Sequence, residues 1–255
     1  MIFTEIENKI KSLKGHVGYY FIDCLTNETH GFNEDDEFLA ASVIKFPIYL
    51  SICRFVSRNE ASFNTKIVVK SEDKLPSCGG LNCFTGDVEI DIESLCNLMI
   101  RLSDNTATNV LIKHFGMDKL NNEFASMGLV KTKIYRLLFD SVAASKGLEN
   151  KICLKELASL LKQIYDKTFI NEEYSTYINN CLSEQQVNHK IPGYIVDDIK
   201  IAHKTGEDDN LTNDIGIVYA KHPFIICFAG HDTYVPDFEI FMRETSRDLV
   251  NIFNK

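Results

Sequence analysis

Residues 199–232, IKIAHKTGEDDNLTNDIGIVYAKHPFIICFAGHD, decide the fold. Three runs rich in β-branched and aromatic residues, IKIAHKTG, DIGIVYAK and FIICFAGHD, are parted by short polar turns, which predicts an antiparallel meander. From Asp237 the apolar spacing changes to three and four, the pattern of an amphipathic helix closing the chain. The opening residues supply matching parts. Residues 2–14 read as an amphipathic helix, HVGYYFIDC (16–24) as a strand, and a polar turn around Asn27 leads to a short partner ending near Phe32.

What lies between is helical in period. EFLAASVIKFPIYLSICRFV (37–56) is too long and apolar for a strand, so a buried helix is expected from about Ser42, with Ser42 as its cap and Pro47 near its start. IDIESLCNLMIRLSD, TATNVLIKHFG and ENKICLKELASLLKQIY repeat the helical spacing, while KTKIYRLLFDSVAASKGLEN (131–150) is irregular and reads as an ordered loop. The expected architecture is α/β, of the α+β kind. An antiparallel sheet is flanked by N- and C-terminal helices (1–41 with 190–255), and an all-helical lobe (42–189) is inserted. The crevice between the lobes is the default site.

Composition narrows the functions. The chain has 255 residues, 45% hydrophobic and 25% charged, ample for a sizeable core. A net charge of -9 with no basic block argues against nucleic acid, whose phosphates demand clustered Lys and Arg. No apolar stretch reaches the roughly 20 residues that span a bilayer, so no membrane partner is expected. The N-terminus lacks the basic start and apolar core of a secretory signal, which points to the cytoplasm unless a signal has been removed. Eight cysteines sit mostly inside apolar segments without C-x-x-C or zinc spacing, so they read as reduced core thiols. His203 reads as packing or surface, and His114 and His231-Asp232 lack metal-ligand company. No metal and no cofactor are expected.

Three short motifs carry chemistry. Ser42-Val43-Ile44-Lys45 is S-x-x-K; on a helix this spacing puts both side chains on one face, where the amine can take the hydroxyl proton. A base has to shed its own proton readily, which burial and a neighbouring cation such as Lys204 would both favour. A second copy, Ser71-Glu72-Asp73-Lys74, lies in a polar stretch and reads as a surface turn. Ser103-Asp104-Asn105 caps the following helix in the bland reading; in the functional one its hydroxyl relays a proton and its amide orients a substrate amide. Lys204-Thr205-Gly206 ends a strand, either as an ordinary turn or as a cation, a hydroxyl for a carboxylate, and a glycine that lets substrate lie close.

Together, and in this order on helix, helix junction and strand end, the three motifs resemble the class A β-lactamase family and its penicillin-binding relatives. ASVIKFPI, MIRLSDNTATNVLI and AHKTG…TNDIGIVY extend the resemblance over nearly the whole chain. It implies that Ser42 attacks a β-lactam carbonyl with Lys45 as acylation base, and that Ser103 carries the proton to the ring nitrogen. Asn105 holds the side-chain amide, Lys204 and Thr205 bind the carboxylate, Gly206 admits the substrate, and Asp104 is structural. The oxyanion hole is the backbone N–H of Ser42 and Glu207.

One region departs from the pattern. Class A enzymes activate the deacylating water with a Glu in an E-x-x-x-N loop, which the matching segment 134–150 lacks. Asp140 is the only carboxylate there before Glu149, and stands either as deacylation base or as the cap of a helix at SVAASKG. Glu149 is expected to pair with Arg136 to brace the loop. Glu207 stands where a small residue is common, and its charge would repel anionic substrates. Two other substrate readings therefore stay open: a D-alanyl peptidase or esterase, and a penicillin-binding module that acylates without efficient turnover.

Overall fold

The computed structural model describes residues 2–255. In chain order the elements are α1 (Ile2–Lys11), β1 (His16–Asp23), β2 (Thr29–Phe32), β3 (Phe38–Leu39), α2 (Lys45–Ser57), β4 (Lys66–Val69), β5 (Val88–Asp91) and α3 (Ile92–Arg101). Then come α4 (Asn105–Phe115), α5 (Met117–Ser126), α6 (Ser141–Ala144), β6 (Lys151–Ile152), α7 (Leu154–Tyr165), α8 (Glu172–Ser183), β7 (Ile201–Asp208), β8 (Leu211–Val218), β9 (Phe224–His231) and α9 (Val235–Phe253). The chain divides into two compact units, residues 1–43 with 151–255, and residues 44–150.

The first unit is built on a five-stranded sheet of order β2-β1-β9-β8-β7, with every neighbour antiparallel. The expected meander is β7-β8-β9, and its last strand takes the N-terminal strand as partner over eight positions, from His16↔His231 to Asp23↔Phe224. Alternation along β1 sends Val17, Tyr19 and Phe21 to one face. There they join Ile226 and Phe228 of β9, Ile6 and Ile10 of α1, and Phe238, Phe241, Met242, Leu249 and Val250 of α9. Each such large apolar side chain stabilises the fold by about 1.5–3 kcal/mol. All eight residues of β8 are buried, as are seven of the eight in β1 and seven of the eight in β9, because helices cover the sheet on both sides. That explains why FIICFA reads as a continuous apolar run.

The boundary of this unit differs from the sequence expectation. Residues 151–189 belong with the sheet, where α7 packs on β1, β8 and β9, and α8 packs on β7. An amphipathic period shows that a helix buries one face, not what it buries it against.

The second unit is mainly helical, with the β4-β5 pair at its side. In α2, ten residues from Lys45 to Phe55 are buried, so this helix runs through the unit's interior. Its start also differs from expectation. Residues Ala41–Ile44 form a 3-10 turn, α2 begins only at Lys45, and no side chain caps it. Pro47 then falls at the third helical position, where its missing N–H has no intrahelical partner to lose. Ser71–Asp73 forms an exposed 3-10 turn. Six of the eight cysteines are buried; Cys78 and Cys83 are exposed in the loop after it. Among the described residues, no helix is long and apolar enough to cross a membrane.

Candidate active site

In the helical unit, the centre is Lys45. Its side chain is wholly buried at the first residue of α2. Its Nζ donates to Ser103 O (2.7 Å) and Asn105 Oδ1 (2.8 Å), and lies 3.0 Å from Ser103 Oγ. Three oxygens replace the water shell that burial removes. The Ser103 hydroxyl is both donor and acceptor, so this last contact serves the ammonium as an acceptor and the free amine as a donor. Proton passage between amine and hydroxyl therefore needs no rearrangement. Ser103 holds this double contact with φ of 53°, a left-handed conformation that costs a non-glycine residue of order 1 kcal/mol or more. Backbone strain of this kind sits at three places of interest, since Ala41 (φ 39°) precedes Ser42 and Phe139 (φ 62°) precedes Asp140.

Asp104 accounts for much of the order around Ser103. It caps α4, with Oδ1 accepting the Ala107 N–H at 2.8 Å. Its Oδ2 accepts from Gly80 N (2.7 Å) and Leu81 N (2.9 Å), which fastens the loop between β4 and β5 to the motif. Gly79 in that loop has φ of +124°, and a Cβ there would collide with the Asp104 carboxylate. Asp104→Ala removes the cap and two charge-assisted hydrogen bonds, together about 2–4 kcal/mol. The expected result is a Tm lower by about 5–10 °C in a thermal melt.

Three asparagines pin the irregular segment 132–150, each through both ends of its amide. Asn121 exchanges bonds with Ile134 N and O (2.9 and 2.8 Å), Asn109 with Leu138 N and O (2.9 and 2.9 Å). Asn150 accepts from Tyr135 N and Arg136 N and donates to Arg136 O. Arg136 and Glu149 form an ion pair, with Nε and Nη2 at 2.9 and 2.7 Å from one carboxylate oxygen. Asp140 is partly buried and caps α6, its Oδ1 accepting the Ala143 N–H at 2.9 Å.

In the sheet unit, β7 is the outer strand and carries Lys204, Thr205, Gly206 and Glu207. A Cβ at Gly206 would lie 3.0 Å from the backbone nitrogens of both Ser42 and Val43, so this close approach of β7 to the Ser42 turn favours glycine. Lys204 is wholly buried, with Nζ donating to Thr205 O at 2.8 Å. Three further residues hold this region, none of them signalled by any motif. Buried Asn213 donates to Leu39 O and Ala40 O (2.9 and 3.1 Å) and accepts from Gly230 N, tying the residues before Ser42 to the sheet. Wholly buried Lys190 donates to Gly206 O at 2.9 Å. His203 is buried, with Nδ1 at 3.0 Å from Asp214 and Nε2 at 2.9 Å from Asn188; Asp214 in turn accepts the Ile191 N–H. Lys190 thus sits in a segment braced on both sides.

Among the described residues, one group offers metal-ligand atoms within 4.8 Å of one another: His189, Glu207 and Glu239. Its carboxylates are already countered by Lys190 (3.2 Å from Glu207) and Arg243 (3.4 Å from Glu239), so the chain's own cations serve where a metal would.

A profile of the beta-lactamase enzyme family matches residues 2–253. The chain belongs to that family. It is a serine β-lactamase-like hydrolase. Among family members, it is 25% identical to Beta-lactamase VEB-1 of Pseudomonas aeruginosa, over 84% of this chain and 76% of that one. It is likewise 25% identical to a beta-lactamase of Bacillus subtilis (strain 168), over 90% and 75%. Of solved structures, the beta-lactamase from Sphaerobacter thermophilus DSM 20745 matches with a TM-score of 0.87 at 25% identity, covering 98% of this chain and 96% of that one. PBP-A shares the fold, with a TM-score of 0.89 at 23% identity over 99% and 95%.

Proposed function

We propose that the protein opens β-lactam amides by the class A route, through an acyl-enzyme on Ser42. Ser42 Oγ attacks the carbonyl carbon, its proton passes to the Lys45 amine, and the C–N bond breaks as the Ser103 hydroxyl delivers a proton to the leaving nitrogen. The backbone N–H groups of Ser42 and Glu207 receive the oxyanion. Lys204 and Thr205 bind a substrate carboxylate, Gly206 lets the substrate lie along β7, and Asn105 orients its side-chain amide. Water then hydrolyses the ester. The observation that carries this reading is the convergence of Lys45 Nζ on both oxygens of Ser103, with Lys45 three residues beyond Ser42. The close approach of Gly206 to the Ser42 nitrogen supports the oxyanion assignment.

Deacylation is assigned to Asp140, with Arg136 and Glu149 as the loop's brace. A second reading has support of its own: Oδ1 of Asp140 is engaged by the Ala143 N–H, which favours a penicillin-binding module that keeps its acyl group. A variant of PBP-A, with the same fold, has been captured as an acyl-enzyme with penicillin G.

Mass spectrometry with a chromogenic cephalosporin tests both. The expected result is a transient adduct on Ser42 with chromophore release over many turnovers, and an adduct lived at least tenfold longer in Asp140→Asn. One equivalent of release and a persistent adduct would select the second reading. No adduct at all would reject the β-lactam assignment and leave D-alanyl peptides or small esters.

A further inference from the structure

The loop between β4 and β5 is fastened near both ends. Lys70 pairs with Asp87 at 2.7 Å, and the ammonium of Lys74, in the second S-x-x-K, donates to Phe84 O and Gly86 O. Between these clamps lies Cys78-Gly79-Gly80-Leu81-Asn82-Cys83, whose two ends are the exposed cysteines. The segment is already turned back on itself: Asn82 Nδ2 donates to Ser77 O and Cys83 N to Gly80 O, both at 3.1 Å. Each thiol lies beside a residue of the first of these bonds, Cys78 Sγ 3.7 Å from Ser77 Oγ and Cys83 Sγ 3.7 Å from Asn82 Oδ1. A disulfide sets its two Cα atoms about 4.4–6.8 Å apart. Two central glycines give so short a segment the backbone freedom to close to that span.

The interior of the same segment holds the Ser103-Asp104-Asn105 motif. Gly80 N and Leu81 N donate to Asp104 Oδ2, Cys78 O accepts the Asn105 N–H at 3.3 Å, and the wholly buried Leu81 side chain anchors the turn. All of these groups, with Lys45, belong to the unit of residues 44–150. We propose that Cys78 and Cys83 form a thiol–disulfide modification site that controls this motif. Its co-reactant is a low-molecular-weight disulfide such as glutathione disulfide. One cysteine thiolate attacks a sulfur of that molecule, forming a mixed disulfide and releasing a small thiolate. The other cysteine thiolate then attacks the protein-bound sulfur and expels the second. The protein gives up two electrons and two protons, which leave on two small thiols. Closing the ring rotates the peptides of Gly80 and Leu81, their N–H groups leave Asp104 Oδ2, and the seat of Ser103 against Lys45 loosens. The modification is independent of the chemistry at Ser42; its effect on rate rests on the Ser42 reading.

The test is to treat the whole protein with glutathione disulfide and follow peptide mass, amide hydrogen exchange at Gly80 and Leu81, and Ser42 acylation by a chromogenic cephalosporin. The expected result is a bridge between residues 78 and 83, faster exchange at both amides, and acylation at least tenfold slower, all reversed by dithiothreitol. Cys78→Ser and Cys83→Ser are each expected to acylate like wild type when reduced, and to stop at a glutathione adduct on the remaining exposed thiol. No reaction, or stable adducts on both residues without a bridge, would overturn the site. A bridge that leaves exchange and acylation unchanged would overturn the control. Slowing that persists in the double Cys78→Ser, Cys83→Ser variant would place the effect at another cysteine and reject the proposal. If even the reduced protein forms no Ser42 adduct, the β-lactam reading falls, while the bridge and the two amides still decide for or against the site.

Discussion

Ser42→Ala is expected to abolish β-lactam turnover and all covalent labelling, with kcat falling on the order of 10⁶-fold, the scale of nucleophile removal in another serine hydrolase. The fold should hardly notice. Ser42 is only partly buried, and the turn around it is fixed by backbone features: the Val43 N–H to Ala40 O bond, the Asn213 amide on Leu39 O and Ala40 O, and the tight seat against Gly206. None of these uses the hydroxyl. A thermal melt should place the variant within about 0.5 kcal/mol of wild type. Residual labelling at a level comparable to wild type would show that another nucleophile is at work, and the assignment of Ser42 would fall.

Lys45→Met is the second large effect, and it separates catalysis from stability. Losing the base is expected to slow acylation by about 10²- to 10⁴-fold. For stability two terms oppose. Removing the nitrogen relieves the cost of burying a polar head group, while Ser103 O, Ser103 Oγ and Asn105 Oδ1 each lose a hydrogen-bond partner, at about 1–3 kcal/mol apiece. These nearly cancel, so denaturant unfolding should move by about 2 kcal/mol or less. A variant that acylates at the wild-type rate would remove Lys45 from the mechanism; one that unfolds outright would make it a structural residue first.

The two kinds of information in the chain were unequally readable. The β7-β8-β9 meander, the enclosing helices α1 and α9, and the three motifs were legible because each is local: a period, a turn, or a spacing of three residues. The parts that hold the motifs in place were not. Asn213 is one asparagine in a strand, Lys190 one lysine before Ile191-Pro192, and Asn109, Asn121 and Asn150 are scattered amides. Each works through backbone groups between 13 and 174 residues away, and a backbone partner leaves no mark on sequence composition. The start of α2 was misplaced for a similar reason. A serine before an apolar helix is an ordinary cap, and only the 3-10 turn ahead of Lys45 leaves Ser42 outside that role. The membership of 151–189 depended on what α7 covers, which its own period does not record.

The pairing of β1 with β9 bears on how the protein is made. β1 is fully extended early in synthesis, yet its inner neighbour is the second-last element of the chain. At ribosomal speeds about 10–40 s pass between the emergence of the two. Through that interval the hairpin β1-β2 has an unsatisfied inner edge and an uncovered apolar face, the very features that invite association between nascent chains. The 107 residues of the inserted unit are complete well before then and hold their own core. Cotranslational folding should therefore begin within residues 44–150 and complete the sheet only when β9 reaches β1.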